Sequence, residues 1–502
     1  MDIFQGIIHG FAVILAPAKL AACFFGVVIG TAVGVLPGIG PSGSIALLLP
    51  LTYYMDPVSA IIMLAGIYYG TMYGGSTTSI LVNLPGEAQS VVTCLDGYQM
   101  ARQGRAGPAL GISAFGSFIA GTFGVIGLMV VAPPLAEFAL KFGPAEIFAL
   151  TILAFTLVGY LTSSSMIKAL MMAVLGLLLA SVGQETITAI PRFTLGNVNL
   201  QSGIGLVPLV MGLFGISEVL LALGESASNA EPDVRKSAPK FSSLFPDRKD
   251  WKDSAGPIAR GSLIGFIIGL IPGGTGIIAS FSSYAIEKKL SKHPERFGQG
   301  TIEGVAGPES ANNAAAQGAF IPLLTLGIPG NAAMALTLGA LKIHGVIPGP
   351  LLINEHPEVF WGVVASMYIG NFLLLILNLP LIGIWVRLLL VPSSILYPML
   401  ILFCIIGAYS LNNNAFDVGA LFFFGLLGYV LRKQDFELAP LILGFILGPI
   451  METSARQALI MSAGELSIFF SSAVSTVLLA IAFLVILTAT CSTIRQWRLR
   501  KA

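Results

Sequence analysis

Residues Gly34–Pro50 read GVLPGIGPSGSIALLLP, three prolines and four glycines set in an otherwise largely apolar run. Proline removes a backbone donor and clashes with the preceding helical turn, and glycine opens positive φ. The sequence therefore predicts a helix that stops at Pro37 and Gly38, opens through Gly40 and restarts near Ser42. The surroundings show where such a break lies. No Asp, Glu, Lys or Arg occurs between Lys19 and Asp56, and none between Asp56 and Glu87. Charge-free runs recur from Arg105 to Glu137, Glu146 to Lys168, Arg192 to Glu218, Arg260 to Glu287, Glu309 to Lys342, Glu358 to Arg387, Arg387 to Asp417 and Glu465 to Arg495. Each is long enough for the about 20 apolar residues that a bilayer crossing needs. The 502 residues are 55% hydrophobic and 10% charged, too little charge to coat a water-soluble fold. A soluble enzyme, a nucleic-acid binder and a disordered scaffold are excluded. The expected class is an all-α polytopic membrane protein of about 11–13 segments, some broken.

The same grammar returns in the second half. GLIPGGTG (Gly269–Gly276) repeats the first break, with Gly273, Gly274, Thr275 and Gly276 at its centre. NLPG (Asn83–Gly86) matches GIPG (Gly327–Gly330), GPAEIFALTILAFTLVG (Gly143–Gly159) matches VPSSILYPMLILFCIIG (Val391–Gly407), and PLVMG (Pro208–Gly212) matches PLILG (Pro440–Gly444). Four ordered matches point to a duplication. The expected organisation is repeat one over 1–224, a polar linker over 225–257, repeat two over 258–465, and an extra helix with a basic tail over 466–502. The linker carries Arg235, Lys236, Lys240, Arg248, Lys249 and Lys252, and the tail Arg495, Arg498, Arg500 and Lys501. Both are expected on the cytoplasmic side, and the N-terminus, with no basic residue before Lys19, outside. The first residues read as mature protein, since they lack a basic segment and a cleavage site. An odd number of crossings before the linker makes the repeats inverted, a plan that puts a transporter's site at mid-membrane between them.

Irregular backbone at membrane depth is tolerated where protein buries it or water lines it. A restarting helix offers unpaired N–H groups and the positive end of its dipole, which hold a carboxylate without a lysine. The candidate substrate-binding residues are therefore Pro37, Gly38, Gly40 and Ser42 at the first break and Gly273, Gly274, Thr275 and Gly276 at the second. The polar cluster Ser76, Thr77, Thr78 and Asn83 joins them, with Asn331 beside the second Pro–Gly. Glu309, Asn312 and Asn313, in GPESANNAAAQG, are candidates for a coupling ion, because amides and carboxylates ligate cations. Lys168 and Arg387 are expected to snorkel. Four scattered cysteines and four scattered histidines (Cys23, Cys94, Cys404, Cys491; His9, His293, His344, His356) give no metal spacing or disulfide framework. No P-loop, HExxH or GxSxG is present, so no catalytic residue, metal or cofactor is expected beyond a coupling cation.

These motifs carry a family resemblance. GVLPGIGP (Gly34–Pro41), YGTMYGGSTTSILVNLPGE (Tyr69–Glu87), LDGYQMARQGRAG (Leu95–Gly107), FGPAEIFAL (Phe142–Leu150), GLIPGGTGIIAS, GVAGPESANNAAAQGAFIPLLTLGIPGN and APLILGFILGPIME resemble the large membrane subunit of the tripartite tricarboxylate transporters, from about Gly6 to Gln457. The resemblance implies a secondary importer of citrate or a related carboxylate in a bacterial inner membrane, driven by sodium or protons. It also implies a small membrane subunit and a periplasmic solute-binding protein as partners, and leaves room for a homo-oligomer. By analogy it implies an elevator, with a scaffold and a transport domain whose re-entrant hairpins have their tips near Ser76–Gly86 and Asn312–Asn331. A passive organic-anion channel and a membrane scaffold docking a soluble receptor are the rival readings. Asn83 precedes its Pro–Gly and Asn331 follows its own, so the two half-sites are expected to differ, one for the cation and one for the anion.

Overall fold

The computed structural model describes residues 2–36, 40–161, 165–185, 188–225, 241–388 and 391–501. It is helical almost throughout; one two-residue antiparallel hairpin, Gly183–Gln184 with Pro191–Arg192, is the exception among the described residues. The first half runs α1 (Ile3–Ile14), α2 (Pro17–Val35), α3 (Gly40–Thr52), α4 (Pro57–Val82), α5 (Val91–Arg102), α6 (Ala106–Ala139), α7 (Pro144–Leu161), α8 (Met166–Ala180) and α9 (Leu206–Val210), which passes through a π-helical turn, Met211–Ile216, into α10 (Ser217–Glu225). The second half runs α11 (Arg248–Leu270), α12 (Gly276–Leu290), α13 (Glu303–Gly318), α14 (Phe320–Leu326), α15 (Ala332–Ile343), α16 (Leu352–Glu355), α17 (Pro357–Asn378), α18 (Ile382–Leu388), α19 (Ser393–Asn412), α20 (Ala415–Lys433), α21 (Ala439–Met461) and α22 (Ala473–Lys501).

Among the described residues, seven helices are long and apolar enough to cross a bilayer, and five shorter apolar helices accompany them. The chain is an all-α polytopic membrane protein. Local chemistry sets the helix ends. Asp56 caps α4 by accepting from Ser59 N at 3.1 Å, with Pro57 in the first turn where its missing N–H costs nothing. Asp247 caps α11 by accepting from Asp250 N at 2.7 Å, so the helix starts within the polar stretch read as linker. Ahead of it, Leu244 is buried and its carbonyl abuts Gly111 of α6. The final apolar stretch begins as a 3-10 turn, Leu466–Phe470, and becomes α22 at Ala473.

Two glycine seams organise the interior. A Cβ on Gly26, Gly30 or Gly34 of α2 would lie 2.5, 2.6 or 2.4 Å from the carbonyl oxygens of Met63, Ile67 and Thr71 of α4. A Cβ on Gly261, Gly265 or Gly269 of α11 would lie 2.3, 2.0 or 2.5 Å from those of Gly307, Ala311 and Ala315 of α13. Four-residue spacing puts each set on one helix face, and the bare glycines let the backbones touch. The two inner helices, α4 and α13, are wholly enclosed from Val58 to Leu81 and from Gly304 to Gly318. Around them pack α2, α5, α6, α11, α12 and α17. A second group gathers α7, α8, α21 and α22, and a third α9, the π turn, α10, α19 and α20; α3 and α15 pack between the enclosed pair and these outer groups.

Candidate functional site

Each helix break lies against the Pro–Gly tip of its own half. The N–H of Gly273 donates to the carbonyl of Gly330 at 2.9 Å. Gly273 has φ +86°, and a Cβ there would meet the backbone of Val158 in α7 at 2.9 Å, so both conformation and space demand glycine. In the first half, a Cβ on Gly86 would lie 2.0 Å from the carbonyl oxygen of Gly34 and 2.7 Å from Gly75 Cα. Gly40 opens α3 at φ +61°. Pro37 and Gly38 lie outside the described residues.

All four irregular segments face one cavity of about 760 Å³, within the range of roughly 300–1,000 Å³ typical of small-molecule sites. Gly40–Ser42 and Thr275 come from the restarts, Pro85–Gln89 and Asn331–Ala333 from the tips. The outer wall is Phe214 and Glu218 of the π turn and α10, with Arg432 of α20 and Asp435–Ala439 leading into α21. Thr275 leads into α12 without a side-chain cap, so the first-turn N–H groups of that helix are free of one.

Behind the cavity, α13 carries its polar face into the first half. Glu309, 1% exposed, accepts from the hydroxyl of Ser76 at 2.5 Å and from Thr93, with Ser113 as a third hydroxyl partner. Asn312 Nδ2 donates to Glu87 Oε1 at 2.9 Å. Asn313 turns the other way: its Nδ2 donates to Ser117 Oγ of α6 at 2.7 Å and to the Glu309 carbonyl at 3.0 Å. Among the described residues, no lysine or arginine is bonded to either carboxylate; hydroxyls and one amide do the holding.

Of the sequence candidates, Gly40, Ser42, Thr275 and Asn331 line the cavity. Asn331 also caps α15, accepting from Met334 N at 3.0 Å while its Nδ2 donates to Tyr68 OH at 3.0 Å. Gly276 lies just inside, where a Cβ would be 2.6 Å from Asn312 Oδ1. Gly273 and Gly274 shape the turn behind Thr275. Ser76, Thr77 and Thr78 are buried within α4, and Ser76 reaches Glu309 rather than the cavity; Thr78 bonds to its own helix, at Gly75 O. Asn83 is exposed and closes α4 in the left-handed conformation at φ +58°. Lys168 is half-buried and donates to Gln434 O at 2.6 Å, 5.0 Å over the Phe436 ring, and Arg387 is exposed.

Sequence reasoning missed Glu87, Tyr68, Gln89 and the Arg432–Glu218 ion pair, all on the cavity wall. Glu87 stands at the edge of a charge-free run and reads there as the end of a span. Its position directly after Pro–Gly was the available signal. Arg432 sits in a basic pair at a helix end, which carries no mark of a cavity.

A family model, the tripartite tricarboxylate transporter TctA family, matches residues 20–443. The chain belongs to the TctA family. The match runs through both breaks, both tips and α13, so the TctA-family region contains every residue that lines the cavity. An uncharacterized 52.8 kDa protein in the TAR-I ttuC' 3'region of Agrobacterium vitis is 50% identical over 498 residues, 99% of this chain and 98% of its own. An uncharacterized protein in the TAR-II ttuC' 3'region of the same organism is 52% identical over 234 residues, 47% of this chain and 97% of its own. No solved structure matches. The TctA family is a transporter family, and this chain is a multi-pass membrane component of such a system.

Proposed function

We propose that the chain is the permease of a secondary active importer for citrate or a related di- or tricarboxylate, powered by a sodium or proton gradient. The observation that carries this reading is the single cavity on which two restarts and two Pro–Gly tips, one of each from either half, converge. That is the plan of inverted-repeat transporters with interrupted helices, in which half-helix N-termini face the anion. In this reading the halves 1–224 and 258–465 are inverted repeats, and the enclosed α4–α13 unit with its partners moves against the outer helices as an elevator. Gly40, Ser42, Thr275, Gly276 and Asn331 form the anion's side, and Glu309, Asn312 and Asn313 belong to the coupling side. A periplasmic solute-binding protein delivers the cargo and a small membrane subunit completes the complex in the inner membrane, with the N-terminus periplasmic and the 225–257 segment cytoplasmic.

The test is uptake of radiolabelled citrate into proteoliposomes holding this chain, its small subunit and its binding protein. An imposed inward sodium or proton gradient should drive accumulation above the external concentration, and an ionophore should abolish it. Equilibration to the external concentration, indifferent to any gradient, refutes the importer and leaves a channel.

A further inference from the structure

Glu87 and Asn312 present an arrangement that neither the break-and-tip plan nor the hydroxyl cradle of Glu309 explains. They are 4% and 1% exposed and joined by one hydrogen bond, Asn312 Nδ2 to Glu87 Oε1. Their other oxygens, Glu87 Oε2 and Asn312 Oδ1, are buried with no hydrogen-bond partner. Buried acceptors left unpaired are costly, and these two lie at or just behind the cavity wall. Glu87 lines the cavity, and Gln89 Oε1 approaches the same point: a Cβ on Gly276 would lie 2.7 Å from it and 2.6 Å from Asn312 Oδ1.

We propose that Glu87 and Asn312, with Gln89 at the margin, form a sodium site in the cavity wall. This rests on the importer reading and names the residues through which its coupling ion acts. The donor set is hard oxygen, one carboxylate with neutral amide carbonyls, which suits a single positive charge. One carboxylate balances one positive charge, and no group of three His, Cys, Asp or Glu that could hold a metal ion occurs among the described residues. A proton on Glu87 Oε2, donated to Asn312 Oδ1, would pair the two oxygens with each other; a sodium ion would take both and draw in Gln89 Oε1, and 22Na+ binding separates the two.

The neighbouring charges explain why cargo and cation travel together. Glu309 faces Glu87 from α13, and Tyr68 from α4. Farther along the cavity wall stand Glu218, bonded to Arg432, and Asp435 and Glu437. An anion entering this wall meets the Glu87 carboxylate. A cation alone meets the positive end of α12, which starts at Gly276. With both present, the cation neutralises Glu87 and the anion neutralises the helix end, so each raises the other's affinity by the same factor.

The test uses the purified full chain in detergent, with 22Na+ as the probe, binding read by scintillation proximity in choline buffer with and without citrate. Wild type should bind 22Na+ saturably, with half-saturation falling at least tenfold when citrate is added. Glu87→Gln should abolish binding. Asn312→Ala, which keeps the carboxylate, should weaken it about tenfold. Each variant is checked for a monodisperse gel-filtration peak, and Asn312→Ala decides the matter where Glu87→Gln does not fold. Unchanged 22Na+ binding in Asn312→Ala, or no saturable 22Na+ binding by wild type, overturns the site. Saturable binding that is lost in Glu87→Gln but is indifferent to citrate supports the sodium site and refutes citrate as the coupled cargo, so the two readings fail separately.

Discussion

Replacing Gly265 by alanine adds one methyl group at the tightest point of the second seam. Its Cβ would lie 2.0 Å from the Ala311 carbonyl oxygen and 2.7 Å from Ala311 C and Cα. All of these are backbone atoms, so no side chain can swing aside. Reaching 3.4 Å, where ordinary contact begins, requires α11 and α13 to separate by about 1.4 Å. Overpacking of this kind costs about 1–3 kcal/mol. The alanine returns roughly 1 kcal/mol through its helix propensity. The opposite face of α13 raises the cost, because it holds Glu309 against Ser76 at 2.5 Å and Asn312 against Glu87 at 2.9 Å. A helix displaced by more than 1 Å breaks these bonds, each worth about 1.5–3 kcal/mol where a charged group takes part. The expected net loss is at least about 3 kcal/mol, with citrate uptake falling at least tenfold. The assay is thermal unfolding of the purified protein in detergent, run beside Gly419→Ala. Gly419 lies in the interior of α20 with nothing within 4 Å of an added Cβ, so the same substitution there should leave the melting temperature unchanged or raise it. Gly265→Ala should melt at least about 5 °C below Gly419→Ala. If the two variants melt together, the seam does not hold the enclosed helices and the reasoning fails.

Four further outcomes follow from the same geometry. Gly273→Leu must abandon a left-handed conformation and clash with the Leu157–Val158 backbone, so uptake should vanish while membrane insertion, read by fractionation, persists. Asn313→Ala removes the bonds to Ser117 and the Glu309 carbonyl and should destabilise by about 1–3 kcal/mol with uptake abolished; wild-type uptake would remove Asn313 from the mechanism. Asp96 accepts from the N–H groups of Gly298, Gly300 and Thr301 and from Tyr284 OH, so Asp96→Asn should cost about 2–4 kcal/mol in thermal unfolding, and Tyr284→Phe only about 1 kcal/mol. Arg432→Gln leaves Glu218 on the cavity wall without its guanidinium and should raise the KM for citrate about tenfold, with Arg432→Lys recovering most of it.

The breaks were legible because backbone chemistry is local: Pro272, Gly273 and Gly274 in succession disfavour a helix wherever the chain goes. The pairing of breaks with tips was legible as repetition, since GIPG follows GLIPGGTG as NLPG follows GVLPGIG. What the sequence could not convey was which face of each helix turns inward. Ser76, Thr77 and Asn83 lie within eight residues, yet Ser76 points at Glu309, Thr77 is buried in α4 and Asn83 is exposed at the helix end. The amides Asn312 and Asn313 are adjacent, and the roughly 100° step between helical neighbours sends one to Glu87 and the other to α6. Arg432 was hidden for a different reason. Its value depends on Glu218, 214 positions earlier, and on a cavity that exists only when both halves are folded.

The charges on that cavity revise the simplest account of anion binding. A half-helix end without a lysine is enough to hold a carboxylate when nothing else nearby is charged. Here the wall carries Glu87, Glu218, Asp435 and Glu437 against Arg432, and Arg432 is already engaged by Glu218. Under the proposed importer, acids on this wall oppose the approach of a lone di- or tricarboxylate. In that reading the repulsion has a use: the anion can enter only with cations that neutralise the acids, and an empty or half-loaded site pays a penalty for moving. Strict coupling then needs no separate gate, because the cost of carrying charge unaccompanied is set by carboxylates fixed beside the two helix restarts. The same carboxylates would be a defect in a passive anion channel, which works best when its path attracts the ion throughout.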